Sequence, residues 1–148
     1  MYLVSACLAG VKCRYDGKDN TYEKVKVLVE EGKAVIVCPE VFGDLPIPRK
    51  PCEIVKDEEG NERVLTKEGK DCTEAFKMGA IKTLEIAKVL GAKEAILKAK
   101  SPSFGCGKIY NGEFNRTLIK GDGLTARLLK ENGIKVYTEE EFDSWVLH

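Results

Sequence analysis

Three short apolar runs, each followed by a cysteine, constrain the fold of this chain more than any other feature. Apolar runs that end in turn residues are typical of buried strands. The thiols are Cys7 after the run at 2–6, Cys38 after the run at 34–37, and Cys106 just past the run at 95–97. Because the carboxyl ends of parallel strands meet at the ligand-binding edge of an open sheet, we expect these thiols to converge there.

Three thiolates at one point are typical ligands of a metal or iron–sulfur centre that keeps one coordination position open. None of the six cysteines forms a Cys-x-x-Cys pair, which argues against thioredoxin-like exchange and zinc ribbons. Cys13 follows Cys7 by six residues, and Cys52 and Cys72 flank a predicted hairpin, where a structural role is expected. Taken singly, each cysteine is explained without any ligand role, either as a small buried hydrophobe or as a surface thiol.

The composition is that of an ordinary globular protein, and residues 1–148 are expected to form a single domain. The formal net charge is zero, which gives no support for broad nucleic-acid binding. No apolar run approaches the roughly 20 residues of a membrane span, and the first residues lack the basic character of a signal peptide. We therefore expect a cytoplasmic protein, in which cysteines are reduced, metal-bound or catalytic. The single histidine, His148, makes a Cys–His catalytic pair improbable.

Strands alternate with helices along the chain, which predicts an α/β fold of one Rossmann-like open parallel sheet with flanking helices. A polar β-hairpin at 53–55 and 63–65 is predicted as an excursion from this sheet. The proline-rich stretch 39–52 is expected to be a stiff loop, and 100–122 is expected to be mostly loop with a short extended piece near 108–110. The predicted strands are 2–7, 34–38, 94–99 and 134–138, and the predicted helices are 21–31, 72–90, 123–132 and 139–147.

The tripeptide Cys38-Pro39-Glu40 carries a thiol and a carboxylate on either side of a rigid proline. The proline fixes the chain direction, so that Cys38 and Glu40 can face one space, where Glu40 can donate or accept a proton. A solvated glutamate after a proline-terminated strand is the alternative. Arg49, on the stiff loop, is a candidate for holding a substrate carbonyl or phosphate, and a solvated loop arginine is its alternative.

The loop at 101–107, with the sequence SPSFGCG, combines hydroxyls, glycines and a thiol after a predicted strand. Its backbone N–H groups can form a nest for an electron-rich ligand, and Lys98 and Lys100 add positive charge. No Gly-Lys-Ser/Thr closes the loop, so it is not a Walker motif. A plain tight turn is the alternative.

As an ordered set, these motifs resemble a small bacterial and archaeal family that includes the thiouracil desulfidases. The resemblance implies a [4Fe-4S] cluster held by three cysteines, whose fourth iron takes the sulfur of 2- or 4-thiouracil before water replaces it and hydrogen sulfide leaves. Carried over by motif, it assigns Cys7, Cys38 and the loop thiol as ligands. The matching segments are VSACLAG at 4–10, CRYDG at 13–17, CPEV at 38–41, LPIPR at 45–49, SPS at 101–103, IYNG at 109–112 and GDGLT at 121–125.

The resemblance further implies a glutamate and a serine beside the cluster, here Glu40 and either Ser101 or Ser103. We take Glu40 and Ser101 as the catalytic candidates, and Ser103 and Arg49 as substrate contacts. The implied partner is a small thiolated nucleobase or nucleoside. A noncatalytic module that binds a metal, a cluster or sulfur, and a structural zinc protein, are the other functions that the cysteines allow.

The chain departs from the family at one position. Family sequences often have Ser-Pro-Ser-Cys-Gly, but Phe104 stands here in place of that cysteine. Either Cys106 is the third ligand, or Cys13 replaces it, or the cluster site is degraded. We favour Cys106, because the glycines on both sides of it let the backbone adjust.

Overall fold

The computed structural model, which describes residues 1–143, contains a four-stranded parallel sheet and two separate antiparallel hairpins. The strands are β1 (Tyr2–Ser5), β2 (Ala34–Val37), β3 (Cys52–Lys56), β4 (Glu62–Thr66), β5 (Glu94–Leu97), β6 (Lys108–Tyr110), β7 (Leu118–Lys120) and β8 (Lys135–Thr138). The hairpins are β3-β4 and β6-β7. The sheet has the order β2-β1-β5-β8, which confirms the predicted Rossmann-like α/β fold.

The helices lie between these strands and cover the sheet, which places the core on both of its faces. They are α1 (Glu23–Glu30), α2 (Pro39–Phe42), α3 (Thr73–Leu90), α4 (Leu124–Glu131) and α5 (Glu139–Asp143), with a short 3-10 helix at Ala6–Ala9. Leu3 and Val4 in β1 and Ile96 in β5 are fully buried. Strands covered on both faces have continuous apolar sequences, and this explains why the runs of β1 and β5 do not alternate with polar residues.

The register of the sheet brings three strand ends to one edge. Ser5 at the end of β1 pairs with Val37 at the end of β2, and Val4 pairs with Ile96 of β5. The segments that leave these strands therefore begin side by side. They are the 3-10 helix, α2 and the loop that follows β5.

Two parts of the chain differ from the sequence prediction. The stretch 39–52 was expected to contain no regular helix, but α2 begins there at Pro39. Proline is tolerated at the first position of a helix, because the N–H that it lacks has no partner within the helix. The second strand of the β6-β7 hairpin was also missed, because its three residues are partly exposed and show no alternation. The helix predicted at 139–147 begins at Glu139 and is seen as far as Asp143, and positions 144–147 lie outside the described residues.

Helix α2 packs closely against α3 at two glycines. A Cβ added to Gly79 of α3 would lie 2.0 Å from the carbonyl oxygen of Pro39, and one added to Gly43 would lie 2.1 Å from that of Ala75. This contact holds α2, and with it the residues on either side of Pro39, against the longest helix. In the described part of the chain, no helix is both long and apolar enough to cross a membrane.

The substitution Gly79→Ala tests this contact. Within an exposed helix, replacing glycine by alanine stabilises by about 1 kcal/mol. Here the added methyl group meets the Pro39 backbone, and we expect a loss of about 1–3 kcal/mol in the free energy of unfolding. Urea unfolding of the reduced, metal-free protein measures it. Lys77→Ala, exposed in the same helix, is the control and should change stability by less than about 0.5 kcal/mol. An unchanged or raised stability of Gly79→Ala would contradict the packing.

Candidate active site

The strand ends open onto a cavity of about 700 Å³, whose wall contains the residues at the ends of β1 and β2 and in the loop after β5. Of the three thiols that were expected to converge at this edge, Cys7 and Cys38 line the cavity, and Glu40, Arg49 and Ser101 line it with them. Cys13 lines it as well. Cavities at the carboxyl ends of parallel strands are the usual ligand sites of this architecture.

Cys7, Cys13 and Cys38 form a buried group of thiols at this cavity. Their residues are 7%, 4% and 9% exposed. All three line the same cavity, and the Cys13 thiol interacts with both of the others. The loop that carries Cys13 is fastened to the 3-10 helix, since Val11 N donates to Ala6 O at 3.1 Å and Asn20 N donates to Cys7 O at 2.9 Å.

The structure does not bring Cys106 to this group. Its thiol donates to the carbonyl oxygen of Val136 at 3.7 Å, and the side chain packs against the apolar core that contains Val136. Gly105 N donates to Ser101 O at 2.7 Å, which closes the loop after β5 into a tight turn. Phe104 is buried by that turn, and Cys106 leaves it on the side away from the cavity. The thiol that joins Cys7 and Cys38 is thus Cys13, the alternative that the sequence left open.

The thiols interact strongly enough to change their acidity. The hydrogen bond with Cys38 lowers the pKa of Cys13, but the hydrogen bond with Cys7, burial, and the charges of Cys7 and Glu40 outweigh it and raise that pKa to about 11. The hydrogen bond with Cys13, then burial and the Glu40 charge, raise the pKa of Cys38 far above its ordinary value. In the cluster-free protein both thiols therefore keep their protons at neutral pH, and a bound metal must displace them.

Glu40 is the polar centre of the site. Its Oε1 accepts a hydrogen bond from Ser103 Oγ at 3.0 Å, and its Oε2 accepts one from the Cys38 thiol at 3.7 Å. Arg49 Nη2 lies 3.8 Å from Oε2, and the two side chains are 10% and 14% exposed. The carboxylate is thus held in one orientation beside a thiol, as the spacing of Cys38 and Glu40 predicted.

The two loop serines occupy different environments. Ser101 lines the cavity, and its Oγ accepts hydrogen bonds from Ser103 N at 3.1 Å and Phe104 N at 2.7 Å. These bonds leave the hydroxyl proton of Ser101 available to a ligand. Ser103 is 1% exposed and is not part of the cavity wall, so its hydroxyl orients Glu40 from behind.

Arg49 joins the proline-rich loop to the loop of Cys13. Its guanidinium donates to Pro46 O at 3.2 Å and to Cys13 O at 3.1 Å, and its backbone N–H donates to Tyr15 O at 2.7 Å. The structure therefore gives Arg49 a role that the sequence did not reveal: it fixes the backbone of Cys13 while it faces Glu40.

Sequence reasoning gave no role to much of the cavity wall, because these residues come from segments that lie far apart along the chain. Beyond Arg49, Lys98 and Lys100, the wall holds cationic side chains that the sequence did not suggest, Arg14, Lys50, Lys67 and Arg116. It also holds five aromatic side chains, Tyr15, Phe76, Phe104, Tyr110 and Phe114. Cys52 lines it too, and burial, followed by interaction with Cys72, raises the pKa of this thiol to about 12.

Comparison with known proteins agrees with this architecture. The model of a family described as 2-thiouracil desulfurase matches residues 2–141. The chain belongs to the 2-thiouracil desulfurase family. An uncharacterised relative, YbbK of Bacillus subtilis (strain 168), is 45% identical over 148 residues, which cover 97% of this chain and 98% of YbbK. A solved structure of the [4Fe-4S]-dependent thiouracil desulfidase TudS superposes with a TM-score of 0.86 at 40% identity, over 96% of this chain and 92% of that one. These findings confirm the family that the sequence motifs indicated.

In this member of the 2-thiouracil desulfurase family, Arg49→Lys tests the linking role of the guanidinium. A lysine has one nitrogen and cannot reach Pro46 O, Cys13 O and Glu40 together. We expect the metal-free protein to lose about 1.5–3 kcal/mol of unfolding free energy, as for hydrogen bonds that involve a charged group. Denaturant unfolding measures it. Arg63→Lys is the control, because its exposed pair with Asp71 contributes no more than about 1 kcal/mol. Equal effects of the two substitutions would contradict the role.

Proposed function

We propose that this protein is a [4Fe-4S]-dependent thiouracil desulfidase, which converts a thiolated pyrimidine such as 2- or 4-thiouracil to the oxo base and hydrogen sulfide. The observation that carries the proposal is the group of three buried thiols at a cavity whose wall also holds an oriented carboxylate. Membership of the 2-thiouracil desulfurase family and the similarity to TudS support it. The reaction exchanges sulfur for the oxygen of one water molecule and needs no net oxidation or reduction.

The donor set fits an iron–sulfur cluster with an open position. Cysteine thiolates are the usual ligands of such clusters, and Cys7, Cys13 and Cys38 supply three of them. Among the described residues, no group of three His, Cys, Asp or Glu side chains is arranged to hold a single metal ion. The three thiols line one cavity, and that cavity has room for a group larger than a single ion. When bound, the cluster supplies an open iron, a soft Lewis acid suited to the sulfur of the substrate.

Side chains of the cavity carry out the proton transfers of the proposed reaction. Glu40 faces the cavity and accepts a proton from the water that replaces the sulfur, or protonates a ring nitrogen in passing, and both protons of the water finally leave with the sulfur as hydrogen sulfide. Arg49 and Ser103 hold the carboxylate in place during this transfer. Ser101 donates its hydroxyl proton to a heteroatom of the substrate. We thus assign Glu40 and Ser101 direct contact with the reactants, and Ser103 and Arg49 the positioning of Glu40.

The substrate that we propose is a thiolated nucleobase or nucleoside. The cavity of about 700 Å³ is large enough to hold a pyrimidine ring as well as the cluster. We place the protein in the cytoplasm, because its six cysteines are free thiols and such a centre requires a reducing compartment.

Cysteine substitutions test the ligand set. Cys13→Ser should abolish the cluster, whereas Cys106→Ser, the matched control, should retain it because that thiol faces Val136. After anaerobic reconstitution, we expect about four irons per chain in the wild type and in Cys106→Ser, and a near-complete loss of iron and of the brown absorption in Cys13→Ser. The reverse pattern would show that the loop after β5 rearranges to supply the third ligand.

Glu40→Gln tests the catalytic assignment. The amide retains the shape and the hydrogen bond from Ser103 but cannot take a proton, so turnover of 2-thiouracil should fall by about 100-fold or more. Iron content and the visible spectrum should stay as in the wild type. Full activity of Glu40→Gln would remove the general-base role. A stable cluster in a wild-type protein that turns over neither 2- nor 4-thiouracil would favour a noncatalytic cluster- or sulfur-binding module.

A further inference from the structure

The loop between β6 and β7, residues 111–117, contributes an aromatic ring to the cavity that the proposed reaction leaves without a role. Phe114 lies in this loop, half-buried, and lines the cavity. Its backbone has a φ of 56°, a conformation uncommon for a bulky residue. Such local strain persists only where the surrounding structure enforces it. The contacts that hold this loop are therefore informative.

Glu53 of β3 supplies these contacts across the cavity wall. Its Oε1 accepts hydrogen bonds from Gly112 N at 3.0 Å and from Phe114 N at 3.3 Å. The loop also presses against β3, since a Cβ on Gly112 would lie 2.6 Å from Ile54 O. One carboxylate oxygen thus receives two backbone N–H groups and fixes the residue that carries the ring.

The other aromatic residues of the wall lie in different settings. Phe76 and Phe104 are 3% and 4% exposed and belong to the apolar core. Tyr15 lies under the guanidinium of Arg14, whose Cζ is 5.7 Å from the ring centre. Tyr110 lies within the regular strand β6, where its backbone pairs with that of Leu118. Phe114 stands on a loop that is held from outside, which suits a ring that contacts a ligand.

We propose that Phe114 provides the surface on which the planar pyrimidine stacks, and that Glu53 is the positioning residue that holds Phe114 against the cavity. This proposal rests on the proposed function, because it concerns the binding of the same substrate. Stacking of a base on an aromatic ring is favourable for any pyrimidine and does not require a particular hydrogen-bonding pattern. Its contribution falls on ground-state binding, so its loss raises KM and leaves kcat little changed.

Phe114 variants of the reconstituted enzyme test the stacking step. Phe114→Leu keeps an apolar side chain but removes the ring, and we expect the KM for 2-thiouracil to rise about 5- to 150-fold, the range that base–aromatic stacking corresponds to. The kcat should stay within about twofold, and Phe114→Tyr should restore the KM. Iron content, measured for each variant, should equal that of the wild type. An unchanged KM for Phe114→Leu would overturn the proposal.

Glu53 variants test the positioning step. Glu53→Gln keeps an oxygen that accepts both N–H groups and should behave like the wild type, whereas Glu53→Ala should raise KM as Phe114→Leu does. If Glu53 acts through Phe114, the double variant should be no worse than Phe114→Leu alone. Glu58→Ala, an exposed hairpin carboxylate, is the control. Additive effects in the double variant, or a fall in kcat and cluster content instead of a rise in KM, would contradict positioning.

Equilibrium dialysis of 2-thiouracil separates this proposal from the proposed function. It is done anaerobically on reconstituted Glu40→Gln with and without Phe114→Leu, because that substitution slows consumption of the ligand, and turnover is assayed separately in the wild type. Weaker binding with Phe114→Leu, without turnover by the wild type, would leave the stacking surface standing and reject the desulfidase. Turnover by the wild type, with equal binding by the two variants, would support the desulfidase and reject the stacking surface. Absence of both binding and turnover would overturn both.

Discussion

The site depends on the register of β1 and β2. Because Ser5 pairs with Val37, the two strands end side by side, and Cys7 and Cys38 come within two residues of these ends. Ser5 extends this alignment to the neighbouring strand, because its buried hydroxyl accepts a hydrogen bond from Lys98 N at 2.9 Å. A shift of one residue in the pairing of β1 with β2 would turn the apolar side chains of one strand out of the core, so this register is strongly specified. The apolar core therefore fixes the geometry of the thiols before any ligand binds.

Glu40 connects this edge to the rest of the wall. The short helix α2 starts at Pro39 and packs against α3 at Gly79, and this contact fixes the position of the Glu40 backbone. Contacts with Ser103 and Arg49 then reach the loop after β5 and the proline-rich loop. Arg49 continues to the backbone of Cys13. Thiols, carboxylate and loops thus form one connected set of polar contacts in a largely buried site, where each partner limits the freedom of the next.

The two hairpins complete the cavity on the side away from the sheet. The carboxylate of Glu53 joins them by accepting N–H groups of the loop that carries Phe114. Arg127 of α4 forms a two-point pair with Glu62 of β4, at 2.8 and 3.0 Å, and so fastens the first hairpin to the helical layer. The cavity wall is therefore part of the folded body and is in place without a substrate.

The sequence by itself determined the parallel sheet, the alternation of its strands with helices and the meeting of Cys7, Cys38 and Glu40 at one edge. Buried strands have continuous apolar runs, and a strand end fixes where the next side chains begin, so these features follow from local pattern. Only the tertiary structure showed that Cys13, and not Cys106, lies at the cavity with Cys7 and Cys38, because the positions of these two thiols depend on how two loops fold. The tight turn closed by Gly105 directs Cys106 toward Val136, and the hydrogen bonds to the 3-10 helix direct Cys13 inward. The position of Phe114 was likewise decided by the tertiary structure. It depends on Glu53, which lies sixty-one residues away in the sequence, and no local sequence pattern predicts such a contact.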